Sequence, residues 1–275
     1  MCGRYASARK RIELLEEFSV QRDRVPQDLQ PDYNVAPTRS VYAVMDREQR
    51  KPAEAGKPGG EAAAGDQRET GGVARELRVV RWGLVPSWAK DISIGSRLIN
   101  ARAETVDEKP SFRRAFARRR CLLPADGYYE WQVLENAGPR GGKRKQPYFI
   151  HRADGGLMAF AGLYELWRDR AVPDGDPDAW LWTATIITTT APDELGQIHD
   201  RMPMVIAPES WADWLDPGNS DASDVRALLA PAAARGLATY PVSAEVNSVR
   251  NNGPELIKPV PAPLAPAAAP WSDQD

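Results

Sequence analysis

The chain is 275 residues long, enough for one large domain or two small ones. Its 36 Lys and Arg against 38 Asp and Glu leave a formal net charge of −2, so no global field draws in a nucleic acid, and any such partner must be held by a local patch. Two cysteines, Cys2 and Cys121, make no disulfide framework and point to a reducing compartment; the opening MCGRYASARKR has no apolar signal region, and no apolar run approaches the roughly 20 residues that span a bilayer, so a soluble cytoplasmic protein without membrane contact is expected.

Taken in order, the chain starts with an unusual residue at position two. Removal of Met1 would leave Cys2 with a thiol and a free α-amine on one residue, both partly in reactive form near neutral pH by their reference pKa values. With an aldehyde, such a residue gives an imine and then a five-membered thiazolidine; with an ester or amide, the thiol attacks and the amine serves as its base. Cys2 as an ordinary small residue at a start site stays open at this point. Ser7 is placed to cap a helix over 8–18, with Ile12, Leu14, Leu15 and Phe18 at near-helical spacing. Prolines 31 and 37 punctuate a loop around Tyr33-Asn34-Val35, and Val41 to Met45 reads as a strand. Residues 47–75 hold almost no large apolar side chain and read as a flexible insertion, after which Leu77 to Trp82 alternates as a strand.

Further strands are expected at Cys121 to Leu123 and Tyr128 to Trp131 about a Pro-Ala-Asp-Gly turn, then at Tyr148 to His151, Leu157 to Leu166, Trp180 to Thr190, Pro203 to Ala207 and Thr239 to Val242. Asn136 to Gln146 reads as a flexible hairpin tip, and short helices are expected near 209–215 and 222–230. Residues 258–275 form a Pro/Ala-rich tail, expected to be disordered. Many short strands with few long helices predict a single α+β domain over 1–257, dominated by a barrel-like antiparallel β core with a few peripheral helices.

Four stretches can carry chemistry. In NARAET at 100–105, Asn100 and Arg102 share a face if the segment is extended, and an amide beside a guanidinium suits an oxygen-rich substrate; a surface turn with a structural ion pair is the alternative. Glu130 lies among Tyr128, Tyr129 and Trp131, where lost hydration would raise its pKa into the range of a general acid or base, unless it faces solvent. His199 is one of two histidines, the other being His151, and suits proton transfer; its neighbour Asp200 would face the opposite way on a strand, so no dyad is assumed. Two histidines and two cysteines at scattered spacings make no metal-ligand pattern. Arginines at 113, 114 and 118–120, with Arg4, Arg81, Arg97, Arg102 and Arg201, can line a phosphate groove, and Trp82, Trp88 and Trp131 can stack on unpaired bases; a solvated charged face and ordinary core tryptophans are the alternatives.

Together the segments MCGRY, YNVAPT, RWGLVPSWAKD, NARAET, CLLPADGYYEW, QPYFI, FAGLYELW, TIITTTA and HDRMPMVI, in order across roughly 1–250, resemble the SRAP family, the SOS-response-associated peptidases that process abasic sites. The resemblance implies a single α+β domain with a barrel-like β core and a positive cleft. It implies binding to single-stranded DNA and covalent linkage to an abasic site through Cys2. It casts Asn100 as the holder of the opened sugar, Glu130 as general acid/base and His199 as a second proton-transfer group. Arg4, Arg102 and Arg201 would hold phosphates, with Trp88, Trp131 and Thr188 along the DNA path. A monomer is expected, cytoplasmic and nucleoid-associated when on DNA, with no metal or organic cofactor and with peptidase and lyase-type activity as further implications. Two rival classes stay open: an amidohydrolase with an N-terminal cysteine, and a noncovalent single-stranded DNA-binding module.

Overall fold

The computed structural model describes residues 2–50, 70–134, 143–173, 175–229 and 236–261. Thirteen strands and five short α-helices make up its frame. They are β1 (Tyr5–Ser7), α1 (Arg11–Glu17), β2 (Arg22–Asp23), β3 (Asp32–Val35), β4 (Ser40–Arg50), β5 (Thr70–Trp82), β6 (Asn100–Arg102), α2 (Arg113–Arg118), β7 (Arg120–Ala125), β8 (Gly127–Leu134), β9 (Arg144–Arg152), β10 (Met158–Arg168), β11 (Trp180–Thr190), α3 (Asp193–Gly196), β12 (Arg201–Pro203), α4 (Trp211–Leu215), α5 (Ala222–Ala227) and β13 (Leu237–Pro241).

Five strands close on themselves in the order β4-β7-β10-β11-β5, with β5 returning to β4. The closing contact is a short parallel pairing, Thr183 with Arg81 and Ala184 with Trp82; every other neighbour pair in the ring is antiparallel. Closure removes the sheet edges that an open sheet would expose. The alternating strands put their two faces into two apolar clusters. Val41, Ala43 and Met45 of β4 join one with Cys121, Leu123, Phe160 and Ile186, while Tyr42 and Val44 join the other with Leu122, Leu163 and Ile187. The second cluster also takes the apolar side chains of the helices: Leu14 of α1, Phe116 of α2, Trp214 of α4 and Val225 of α5. The α+β fold with a barrel-like core expected from the sequence is therefore the observed one.

A second, wholly antiparallel sheet, β13-β9-β8-β1-β3, lies against the barrel. The chain passes from barrel to sheet at Asp126, between β7 and β8. Asp126 donates its N–H to Ala6 O (2.8 Å) and accepts from Ala8 N (2.6 Å) and Arg9 Nε (3.0 Å), which ties the N-terminal strand to this corner. Gly127 follows because a Cβ there would stand 2.6 Å from Ile150 O and 2.5 Å from Phe149 Cζ.

Several expectations need correction. Cys121 to Leu123 and Tyr128 to Trp131 do form strands, but β7 and β8 belong to different sheets and are not a hairpin. The first helix starts at Arg11 with Lys10 rather than Ser7 at its cap, where Glu13 Oε2 accepts from Lys10 N (2.7 Å). The segment around Tyr33 is strand β3, not loop. The 47–75 segment contributes to the β4–β5 ladder at both ends, through Arg47–Ala74, Glu48–Val73 and Arg50–Thr70; residues 51–69 lie outside the described residues, as do 135–142 and 262–275. The start of the expected tail is also paired, with Val260 N donating to Pro241 O (2.9 Å). Among the described residues no helix is long and apolar enough to cross a membrane.

The barrel is tight where β7, β10 and β11 meet. A Cβ on Gly162 would collide with Leu123 Cδ1 and stand 2.9 Å from Cys121 Sγ and 3.1 Å from Thr185 O. Gly162→Ala is expected to lower the unfolding free energy by about 1–3 kcal/mol through overpacking. Gly196→Ala, whose new Cβ would meet nothing closer than Ala191 O at 3.7 Å, should be neutral or slightly stabilising. Urea midpoints of the two variants check this.

Candidate functional site

β11 outruns the barrel, and the site is built where it does so. At Ile186 its partner on one side is still Gly162 of β10, while β6 has taken the other side from β5. Two residues on, Thr188 pairs with Arg102 of β6 on one side and with Pro203 of β12 on the other. The three strands carry Asn100, Arg102, Thr188 and Arg201 to one end of the barrel. Trp82, fully buried at the end of β5, fixes the approach: its Nε1 donates to Ile99 O at 2.9 Å, immediately before Asn100.

Cys2 comes to the same place from the other sheet. β1 pairs with β8 through Tyr5–Tyr128 and Ala6–Gly127, and Tyr129 N donates to Arg4 O at 3.0 Å. The same register continued outward sets Gly3 opposite Glu130, so the N-terminal residues and the β8 glutamate converge. Cys2 is fully buried in the cluster that holds Tyr5, Trp82, Tyr128 and Phe160. The amide of Asn100 closes the group, its Nδ2 donating to Cys2 O at 2.8 Å. Asn100 Oδ1 is buried and has no hydrogen-bond partner among the described residues. A buried unsatisfied acceptor costs roughly 1–3 kcal/mol, and a substrate hydroxyl or amine would relieve it.

Burial sets the protonation states. The Cys2 thiol is pushed well above its ordinary range by desolvation and, secondarily, by the nearby Glu130 charge. The partly ionised thiol expected from the reference pKa therefore does not hold in the folded chain: it is a protonated thiol awaiting a base. Glu130, 4% exposed, is pushed up to about 7 by desolvation, with Asp200 adding to the rise. It is half ionised near neutral pH and can give or take a proton there. His199 is held below its ordinary value, chiefly by desolvation. Its Nδ1 accepts from the Arg201 backbone N–H at 3.0 Å, which leaves the ring proton of the neutral imidazole on Nε2. Asp200 Oδ1 lies 2.9 Å from the same Nδ1, a contact that attracts only when the ring is protonated there; the two neighbours lie ahead of β12 rather than on a strand, and the alternation that argued against a dyad does not apply.

The expected DNA-contacting residues divide into exposed and engaged. Trp88 is 54% exposed, and the Arg102 side chain is exposed with no hydrogen bond or ion pair among the described residues. Arg4 is partly buried, spends Nη1 on Asn34 Oδ1 (2.6 Å) and Val246 O (2.8 Å), and lies over the Trp131 ring at 5.9 Å. Trp131 in turn donates Nε1 to Asn247 Oδ1 at 2.6 Å. Arg201 makes a fork to Glu104, at 2.6 and 3.0 Å, and also donates to Thr188 O at 2.6 Å. Thr188 is 1% exposed, a strut beneath Arg201 rather than a surface lining. The basic run needs correction too. Arg120 is buried against five backbone carbonyls, those of Trp214, Phe116, Ala117, Asp216 and Asn219, and Arg119 pairs with Glu165 at 2.7 Å. Asn34 and Glu104 lay within recognised segments but carried no expected role; an amide or carboxylate three or four residues from other polar groups gives no sequence signal of its partner.

The model of the SOS response associated peptidase (SRAP) family matches residues 1–249. The chain belongs to this family. Among its relatives, the Bacillus subtilis (strain 168) protein named abasic site processing protein YoqW is 38% identical over 258 residues, covering 94% of this chain and 99% of its own. Abasic site processing protein YedK of Escherichia coli (strain K12) is 31% identical over 94% of this chain and all of its own, and abasic site processing protein HMCES of Gallus gallus is 32% identical over 94% and 78%. A crystal structure of a Bacteroides thetaiotaomicron protein superposes with a TM-score of 0.70 at 25% identity, over 94% of this chain and all of that one.

The Glu130 shift has a stability consequence. Its folded pKa, about 7, lies above the unfolded carboxyl value, so the native state holds an extra proton between them. That contribution is complete below the unfolded value of about 4.3 and is lost as pH rises through the folded value. Glu130→Gln, which keeps the shape without the charge, should match wild type near pH 4 and exceed it by on the order of 3 kcal/mol at pH 8. Denaturant unfolding at the two pH values checks the sign and the trend.

Proposed function

We propose that this SRAP-family protein processes abasic sites by covalent capture, with Cys2 as the nucleophile after Met1 has been removed and single-stranded DNA as the carrier of the lesion. The supporting observation is the convergence of Cys2, Asn100 and Glu130 at one end of the barrel, with Asn100 hydrogen-bonded to Cys2 and Glu130 poised near neutrality. The relatives named for abasic-site processing cover nearly the whole chain and favour the same reading.

The chemistry follows from those protonation states. An abasic deoxyribose must open before it presents an aldehyde, which needs a proton delivered to the ring oxygen and one taken from the anomeric hydroxyl. A half-ionised Glu130 suits either step, and neutral His199 can donate from Nε2. The Cys2 amine then adds to C1′ and loses water to give an imine. The thiol adds across the C=N bond, its sulfur to carbon and its proton, by way of ionised Glu130, to nitrogen. The products are one thiazolidine and one water. Ring closure removes the iminium that would drive β-elimination, so the adduct protects the strand. The buried thiol fits this order, since a protonated sulfur does not attack before the imine forms. Asn100 would hold the opened sugar through its unsatisfied Oδ1. Arg102 and Trp88, both exposed, would meet a phosphate and an unpaired base. Peptidase activity, in this reading, is removal of Met1 or release of the adduct.

A denaturing gel tests the proposal. Protein mixed with a single-stranded oligonucleotide holding one abasic site should give a retarded band that survives boiling in detergent. Cys2→Ala should retain native-gel binding and give no such band; a band of wild-type yield from that variant would sink the assignment. Mass spectrometry of active protein should show Met1 absent. The rate of adduct formation should change with pH about an apparent pKa near 7, and Glu130→Gln should slow it by about 10²-fold or more with that dependence lost.

A further inference from the structure

The chain just before β1 must place Cys2 against Asn100 and Glu130, yet Tyr5 is the first residue of the strand. Besides the Tyr129 N–H to Arg4 O bond and the Asn100 amide on Cys2 O, the three residues ahead of it are held by a chain of polar contacts that crosses the whole sequence. Asn34, only 3% exposed on β3, donates its side-chain amide to three backbone carbonyls: Val246 O at 3.4 Å, Ser248 O at 2.9 Å and Asn251 O at 2.8 Å. Its Oδ1 accepts from Arg4 Nη1 at 2.6 Å, and the same Nη1 reaches Val246 O at 2.8 Å. Arg4 stands two residues from Cys2, and its backbone carbonyl accepts from Tyr129 N at 3.0 Å. The 244–251 segment is braced on the far side, where Asn251 Nδ2 donates to Glu245 O at 2.9 Å and Trp131 Nε1 to Asn247 Oδ1 at 2.6 Å.

From this geometry we infer that Asn34 is a positioning residue for the Cys2 nucleophile, joining Arg4 to the carbonyls of the 244–251 segment. The inference rests on the covalent reading above. The residue type matters. Asn alone among side chains of this size offers a donor pair to carbonyls and an acceptor to a guanidinium from one planar group. An aspartate keeps the acceptor and turns repulsive toward the three carbonyls; an alanine loses both. Arg4 is partly buried with its Nε unpaired among the described residues, so its side chain depends on these fixed dipoles for placement. Released from Asn34, the Arg4 side chain would lose its anchor, leaving the Tyr129 N–H to Arg4 O bond and the Asn100 amide to hold the backbone that leads to Cys2. Small misplacements of a reacting group are costly because proximity supplies much of the rate.

The test is single-turnover adduct formation with an abasic single-stranded oligonucleotide, read as the rate constant at saturating DNA, the half-saturating concentration and the melting temperature. Asn34→Ala should slow the saturated rate by about tenfold or more, leave the half-saturating concentration within about twofold, and be partly rescued in Asn34→Asp. Asn251→Ala removes an exposed brace without touching the core and should slow the saturated rate by about threefold. A variant with a lower melting temperature and a smaller active fraction but an unchanged rate constant would show a merely structural role and overturn the inference. So would an effect confined to the half-saturating concentration, or Asn251→Ala at the wild-type rate. A wild-type protein that forms no adduct at all overturns the covalent reading and this inference with it, and is distinguished by the wild-type lane alone.

Discussion

A thiol and a carboxyl group buried together cannot both carry charge, and the site depends on that constraint. Water that would solvate either anion is excluded by the aromatic cluster of Tyr5, Trp82, Tyr128 and Phe160. The cost of charging falls first on Cys2, which stays protonated, and then on Glu130, which is held near 7. The pair therefore carries at most one negative charge near neutral pH, and that charge resides on the carboxylate. A protonated sulfur next to a weaker base that is half ionised near neutral pH would, in the covalent reading, be a stored nucleophile. In that reading it would stay inert to passing electrophiles until a bound carbonyl compound makes attack productive.

The fold achieves this burial by a junction rather than a pocket in a single sheet. Cys2 reaches the site along β1, whose register with β8 brings Glu130 alongside; Asn100 reaches it along β6, whose parallel register with β11 is pinned by Trp82. The two approaches come from different sheets and meet where β11 exchanges its barrel partners for β6 and β12. The corner at Asp126 links them, since it ends the barrel strand β7, starts β8 and hydrogen-bonds to the backbone after β1. A shift of one residue in any of these registers would turn Asn100 or Glu130 to the opposite face.

Much of this was legible in the sequence because strand alternation and residue chemistry are local. Most of the strands could be read from period-2 apolar patterns, and Glu130 could be read as a raised carboxyl from its aromatic neighbours. The misreadings come from facts that are not local. The Cys121 and Tyr128 strands flank a turn sequence that would serve a hairpin equally well; which sheet each joins is decided by partners far along the chain. Arg120 sits in a run of arginines that looks like a solvated face, and only the arrival of the 214–219 segment turns it into a buried strut. Thr188 and Arg201 carry the right chemistry for DNA, but Glu104, on the far side of β11 from β12, engages Arg201 first. Asn34 gave no sign of its partners, 212–217 residues away. The Cys2 thiol misled most directly, because a reference pKa assumes water that this site excludes.

The disposition of the arginines bears on where selectivity arises. Of those that the sequence offered as phosphate ligands, Arg4, Arg81, Arg119, Arg120 and Arg201 are committed to internal acceptors. Arg97, Arg102, Arg113, Arg114 and Arg118 are exposed. Noncovalent affinity for a polyanion scales with the number of phosphates neutralised, so a chain of net charge −2 that spends half of these arginines on its own carbonyls and carboxylates is built for loose, salt-sensitive engagement. Loose engagement suits a scanner whose discrimination lies in chemistry. In the covalent reading proposed above, intact DNA would present no aldehyde to an N-terminal amine and would dissociate, leaving the thiol protonated, whereas a strand with an opened sugar would be retained by a bond. Internal arginine pairing and Cys2 burial would then serve one end, since both would suppress reaction with everything except the group that the amine can first condense with.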